Sequence, residues 1–149
     1  MTRPSEIRIK EGETGGTRAA DYEPGADLGE LRFTITPDVV REYMAVVEAD
    51  PSLYVRDGRP VAPPHLLCPY LMPVMYRRYP PIQGIVQADV TWSWRHPIYA
   101  DEETEVVVTG RVTERYERGG RWFVRWTAEY RRADGTPLAT ATNRIHVPE

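Results

Sequence analysis

Residues 61–78 read VAPPHLLCPYLMPVMYRR, and no other stretch of the chain sets enough apolar residues in a row for a core helix. The pattern predicts a helix from Pro64 to about Tyr76, apolar nearly all round and therefore buried. Pro63-Pro64 suits its start, because a proline at the first helical position forfeits no hydrogen bond. Pro69 and Pro73 lie inside the same run. Each removes an interior backbone bond and presses on the preceding turn, at about 3 kcal/mol. The run is therefore either a kinked helix or two short helices in series. Met72 and Met75 are flexible fillers; with the proline breaks they point to a pocket wall shaped for a bulky ligand. The expectation is that a β-sheet wraps this element and that its N-terminal end faces a ligand site.

Upstream, residues 1 to about 28 are polar and rich in glycine and acids; residues 1–20 read as a flexible arm and 21–149 as a single domain. Leu31, Phe33 and Ile35 alternate with polar residues, which reads as a short strand. Thr36-Pro37-Asp38 announces a helix by cap, proline and acid, with Val39, Val40, Tyr43, Met44 and Val47 on one face and an end near Ala49-Asp50, before Pro51. Residues 50–63 read as a loop. Downstream of Gly84 the period changes to two. Val86, Ala88, Val90, Trp92 and Trp94 share one face of a strand that ends at His96-Pro97. Glu103 to Arg118, Arg121 to Arg132 and Leu138 to Val147 follow as strands, joined at Gly119-Gly120 and Asp134-Gly135. Helices followed by an antiparallel meander give an α+β class.

With 149 residues the chain is long enough for a real core. A net charge of -3 offers no basic footprint for nucleic acid. One cysteine, Cys68, rules out an intrachain disulfide and fits a reducing compartment; placed between Leu67 and Pro69, it reads as a core thiol. No run reaches the roughly 18 apolar residues of a membrane span, and the N-terminus lacks the apolar core of a signal peptide. A cytoplasmic protein with no membrane partner is the expectation.

Four stretches then carry a resemblance. VVREYMAVVEADPSLY (39–54), RPVAPPHLL (59–67), VTWSWRHPIYADEETEVVVTGRV (90–112) and RRADGTPLATATNRIHV (131–147) resemble, in order, the first helix with its acidic loop, the start of the central helix, the aromatic-Arg-Pro strand with the strand after it, and the closing hairpin of the MaoC-like hydratases and dehydratases of acyl thioesters. The resemblance implies the hotdog fold: a curved antiparallel sheet wrapped round one central helix. It also implies pairing through the sheets into dimers, a site at the seam with a tunnel for an acyl and pantetheine chain, a substrate on CoA or an acyl carrier protein, and no metal or redox cofactor. The branch it looks closest to lacks the catalytic motif; there a subunit binds acyl chain while a hotdog partner performs the chemistry.

Hydratases of this family carry a Gly-Asp-x-Asn-Pro-x-His loop, whose Asp and His serve as base and acid, while a backbone N–H at the start of the central helix holds the thioester oxygen. Aligning the loop proline with Pro51 puts Val47 at the glycine, Glu48 at the catalytic Asp, Asp50 at the Asn and Leu53 at the His. The histidine is missing. Ala62-Pro63-Pro64 stands where the family has Ala-His-Gly, and proline has no N–H, so any oxyanion donor must be at His65 or Leu66. His65 is the replacement candidate: a neutral imidazole there can act as base or donate to a carbonyl, or can be a histidine bonded to a loop carbonyl. Glu48 is either a carboxylate base or a solvated residue ending a helix, and Asp50 either orients His65 or stops the helix. Tyr54 either points its hydroxyl into the pocket or covers core. Pro64, Leu66, Met72, Trp92 and Trp94 are the expected substrate-binding residues, with sheet packing as the alternative for the two tryptophans. His96 and His146 read as structural and exposed respectively.

Three functions fit: a divergent hydratase- or dehydratase-type lyase of fatty-acid or polyketide metabolism, a non-catalytic acyl-binding subunit with a catalytic hotdog partner, or a hotdog scaffold recruited as a polyketide cyclase. The first two differ in whether the protein pairs with itself or with another subunit.

Overall fold

The computed structural model describes residues 1–9 and 15–149; residues 10–14 of the expected arm lie outside the described residues. Among the described residues, seven strands and two α-helices follow one another as β1 (Asp27–Ile35), α1 (Pro37–Val46), β2 (Val55–Arg56), β3 (Arg59–Pro60), α2 (Leu71–Tyr76), β4 (Val86–Trp94), β5 (Thr104–Arg118), β6 (Arg121–Arg132) and β7 (Pro137–Val147). Five strands form one antiparallel sheet in the order β1-β5-β6-β7-β4, and β2 and β3 make a small separate hairpin. The class is α+β.

The predicted central run is two helices in series. Pro64–Tyr70 is a 3₁₀ helix and α2 continues it. The tighter helix follows from the prolines: Pro69 has no N–H for the carbonyl of His65, which a regular α-helix would require. The run is not buried all round. Leu66, Leu67, Tyr70, Leu71, Val74 and Met75 are buried, whereas Pro64, His65, Cys68 and Pro69 are exposed. Cys68 is thus a surface thiol, not the core thiol expected: in a 3₁₀ helix residues three apart eclipse, and the face of Leu67 and Tyr70 turns inward while that of His65 and Cys68 turns out.

The buried side of this run rests on the inward faces of the sheet, where Phe33, Val106, Val108, Val112, Val124, Trp126, Ala128, Tyr130, Ala139, Ala141 and Ile145 are almost wholly excluded from solvent. Phe33 stacks on Tyr70 at 4.0 Å between ring centroids. Register shifts in β1, β4, β5 and β7 add bends and twist to the sheet. One of them changes the reading of β4. Between Gln87 and Asp89 the register slips, so Val90, Trp92 and Trp94 oppose the inward Asn143, Ala141 and Ala139, but Val86 opposes His146 on the other face. The expected alternation from Val86 to Trp94 is therefore broken, and Gln87 is the inward residue: its Nε2 donates to Asn143 Oδ1 at 3.1 Å.

The first helix begins where expected, with Val39 N–H donating to Thr36 Oγ1 at 3.2 Å, but it ends at Val46, earlier than expected. Glu48 takes a left-handed conformation, φ 53°. Its N–H bonds the Ala45 carbonyl and that of Ala49 bonds the Met44 carbonyl, the pairing that closes a helix through a left-handed residue. The N-terminal residues lie against the body: Ile7, Thr17, Ala19 and Tyr22 are buried, Tyr70 Oη donates to the Thr2 carbonyl at 2.6 Å, and Thr34 N–H donates to the Met1 carbonyl.

Gly110 of β5 lies against Val74 of α2 and Leu28 of β1. A Cβ there would lie 2.9 Å from Leu28 Cδ1, 3.1 Å from Val74 Cγ1 and 3.3 Å from the Thr127 carbonyl oxygen. Gly110→Ala is expected to push these groups apart and destabilise the protein by about 1–3 kcal/mol; a thermal melt indistinguishable from wild type would refute this account of the close packing.

Candidate functional site

The front of the broken helix opens on a cavity of about 370 Å³. Its walls are Leu53–Arg56, Val61–Pro64 with Leu67, Trp94–Ile98, and Leu138. Backbone bonds tie these walls together. Val61 bridges Tyr99, Ala62 N–H donates to the Ile98 carbonyl at 2.8 Å, Val61 N–H to that of Tyr54 at 2.9 Å, and Arg95 N–H to that of Leu138 at 2.8 Å. Side chains brace the rim. Arg59 grips Asp101 at 2.6 Å and Glu102 at 3.2 Å and lies over the Tyr99 ring. Arg132 bonds Glu102 at 3.3 Å and the Pro97 carbonyl at 2.9 Å. These acids hold the Arg59 guanidinium above its usual range, and Arg59 in turn lowers Asp101.

Of the nine residues expected at the site, three line this cavity: Tyr54, Pro64 and Trp94. His65 is elsewhere. Tyr43 Oη stands 2.6 Å from its Nδ1 and 3.1 Å from its carbonyl oxygen. A carbonyl only accepts, so the hydroxyl donates there and takes the imidazole N–H. Pro69 has no N–H to give that carbonyl as a regular α-helix would, and Tyr43 of α1 adds a bond to it. Asp50 neither touches nor orients His65; its Oδ1 accepts from Ser52 N–H at 2.9 Å and Ser52 Oγ at 2.8 Å, capping the short turn Pro51–Leu53. Those two bonds lower its pKa. Glu48 closes α1 and lies on a separate depression with Pro37, Met44 and Pro60.

Leu66 is buried under α1, in a hollow shared with Tyr43 and Tyr70. Met72 is half-buried and its sulfur accepts from Asn143 Nδ2 at 3.2 Å. Trp92 packs on Tyr130 and stacks on Trp94 with centroids 4.8 Å apart. Of the two N–H groups the sequence leaves at the helix start, Leu66 N–H is taken by the Pro63 carbonyl at 3.0 Å, which leaves His65 N–H.

Sequence reasoning missed His96. Of the chain's three histidines it alone lines the cavity; its Nδ1 lies 2.8 Å from the Pro137 carbonyl oxygen. His146 is half-buried beside the Trp122 carbonyl. His96 itself read as structural at a strand end, because its distance in sequence from residues 53–64 hides that the two segments face one cavity. Among the described residues no group of three or more acidic, histidine or cysteine side chains is arranged to hold a metal ion, and no helix is long and apolar enough to cross a membrane.

Comparison of the whole fold gives it a name. Superposed on a MaoC-like dehydratase from Rhodospirillum rubrum, the chain gives a TM-score of 0.70 at 17% identity, covering 89% of this chain and 97% of that one. The fold is the hotdog fold of MaoC-like proteins. The (R)-hydratase PhaJ1 from Pseudomonas aeruginosa gives 0.68 at 17% identity, over 90% and 87% of the two chains. The HadBC 3R-hydroxyacyl-ACP dehydratase complex from Mycobacterium tuberculosis gives 0.66 at 18%, over 83% and 96%. No family model and no curated protein sequence matches the chain. The hotdog helix of this chain is the run 64–76, and the cavity lies at its front.

The Tyr43–His65 pair is a joint between α1 and the hotdog helix. Tyr43→Phe and His65→Ala are each expected to cost about 1 kcal/mol, and the double variant less than their sum. Denaturant melts of the four proteins measure the coupling; strict additivity would dissolve the joint.

Proposed function

We propose that the cavity at the front of the hotdog helix holds the acyl end of a thioester carried on CoA or on an acyl carrier protein, and that the protein is a divergent lyase of the hydratase and dehydratase type in fatty-acid or polyketide metabolism. The observation that carries the reading is the cavity itself. It is lined mainly by apolar side chains, braced by the Arg59 network, and opens at the helix end of a fold whose solved neighbours include an (R)-hydratase and dehydratases. Tyr54, Pro64 and Trp94 are the proposed contacts with substrate. Purified protein is expected to hydrate trans-2-octenoyl-CoA, or to dehydrate the 3-hydroxy product, in a direct absorbance assay of the conjugated thioester. Inertness toward both would end this reading.

A second reading, an acyl-binding subunit with a catalytic hotdog partner, is favoured by Leu53 at the position of the loop histidine and by the absence of any carboxylate, among the described residues, from the cavity lining. Either reading needs a second hotdog subunit, and the sheet edges favour one location for it. On the outer edge of β1, the Met1 carbonyl takes the Thr34 N–H, while Arg77 and Arg78 donate to the Glu30 and Asp27 carbonyls. The β4 edge has no such cover among the described residues, and Val86, Val90 and Trp94 are exposed along it. A long bare edge carrying apolar side chains invites another strand. Sedimentation is expected to find wild type as a two-subunit species and Val86→Lys/Val90→Lys as a monomer. A wild-type monomer at every concentration would favour the second reading; a dimer untouched by the double change would move the seam away from β4.

A further inference from the structure

We infer that His96 is the proton-transferring residue of this cavity, in the role that the family's loop histidine leaves vacant at Leu53. The inference rests on the thioester reading above and deepens it.

Among the described residues the cavity lining contains no aspartate, glutamate, cysteine or serine. Its titratable groups are Tyr54, Arg56, Arg95 and His96. A guanidinium carries no acceptor lone pair and a phenol only a weakly basic one. Among the described residues His96 is thus the one lining side chain with a basic ring nitrogen to offer a proton. Its tautomer is set by the backbone. The Pro137 carbonyl, 2.8 Å from Nδ1, accepts and cannot donate, so the neutral ring carries its hydrogen on Nδ1 and its lone pair on Nε2. Pro137 is the first residue of β7, and the next residue, Leu138, both lines the cavity and bonds Arg95 N–H. The imidazole is therefore anchored to the sheet, with the base nitrogen on the ring edge away from its anchor. A carbonyl partner that fixes tautomer and orientation in this way is how functional imidazoles are commonly held.

One base is enough for the chemistry. In hydration, Nε2 takes a proton from water as its oxygen bonds the β-carbon of the enoyl thioester; the π pair moves to the α-carbon and thioester carbonyl as an enolate; the imidazolium Nε2–H then protonates the α-carbon. Water is added across the double bond and the ring ends neutral. Dehydration runs in reverse: Nε2 takes the α-proton, the enolate expels the β-hydroxyl, and that oxygen leaves as water with the same proton. Besides His96, Tyr54, Arg56, Trp94 and Arg95 are the side-chain donors in the lining for the charge that gathers on the thioester oxygen.

His96→Asn tests this, because the asparagine amide can still donate to the Pro137 carbonyl while the Nε2 lone pair is lost. With trans-2-octenoyl-CoA, kcat is expected to fall about 10²- to 10⁴-fold, with His146→Gln unchanged. Wild-type rates in His96→Asn, given an active wild type, would overturn the role of His96 and leave the thioester reading standing. An inert wild type would overturn the thioester reading and this role together. Should the variant not fold, ¹⁵N spectra of wild-type imidazoles decide: the Nε2 signal of His96 is expected to move on adding octanoyl-CoA, and a signal that stays put overturns the proposal.

Discussion

The constraint on which the structure depends is the pair of missing amide hydrogens at Pro69 and Pro73. A helix without them cannot be regular, so the central run winds as a tight 3₁₀ segment and then as a short α-helix. Pro69 withholds the N–H that a regular α-helix would give the His65 carbonyl, and Tyr43 of α1 reaches across to bond both that oxygen and the ring. The broken run thus gains a tie to its neighbouring helix. This fixes α1 against the hotdog helix, and with it the loop that follows α1 and forms one wall of the cavity. The inward stripe of Leu66, Leu67, Tyr70, Leu71, Val74 and Met75 holds the whole assembly on the sheet.

The cavity is consequently a product of three segments that meet only in space. The loop after α1 brings Leu53 to Arg56, the double proline brings residues 61–64, and the end of β4 brings Trp94 to Ile98. Backbone bonds between residues 61–62 and 98–99 join the second and third, and the ion pairs of Arg59 and Arg132 with Asp101 and Glu102 lock their outer side. These pairs are half-exposed and add little stability individually; their use lies in holding the rim in one geometry. The carboxylates that the family pattern suggests for chemistry are spent on structure here. Asp50 caps a turn, and Glu48 closes a helix in a left-handed conformation that favours glycine.

Much of this was legible in the chain itself. Proline chemistry foretold the broken central helix, and the period-two runs foretold the strands, because both rest on covalent facts of single residues or on local alternation. The start of α1 was legible in Thr36-Pro37-Asp38 for the same reason. The break in β4 was not: a bulge is a mismatch with a partner strand, and Gln87 gives no sign on its own that it will turn inward to meet Asn143. Cys68 misled because apolar neighbours in sequence are not neighbours in a 3₁₀ helix that buries one side only. His65 misled because its position beside the double proline says where its backbone lies and nothing of its side chain.

By itself, then, the sequence determined the α+β order and the proline-broken helix, both of which follow from residue chemistry acting within a few positions. Only the tertiary structure decided which histidine meets the cavity. That choice depends on β7 presenting the Pro137 carbonyl to His96 across 41 residues of chain, and on Tyr43 claiming His65 across 22, and hydrogen bonds of such separation leave no trace in local pattern.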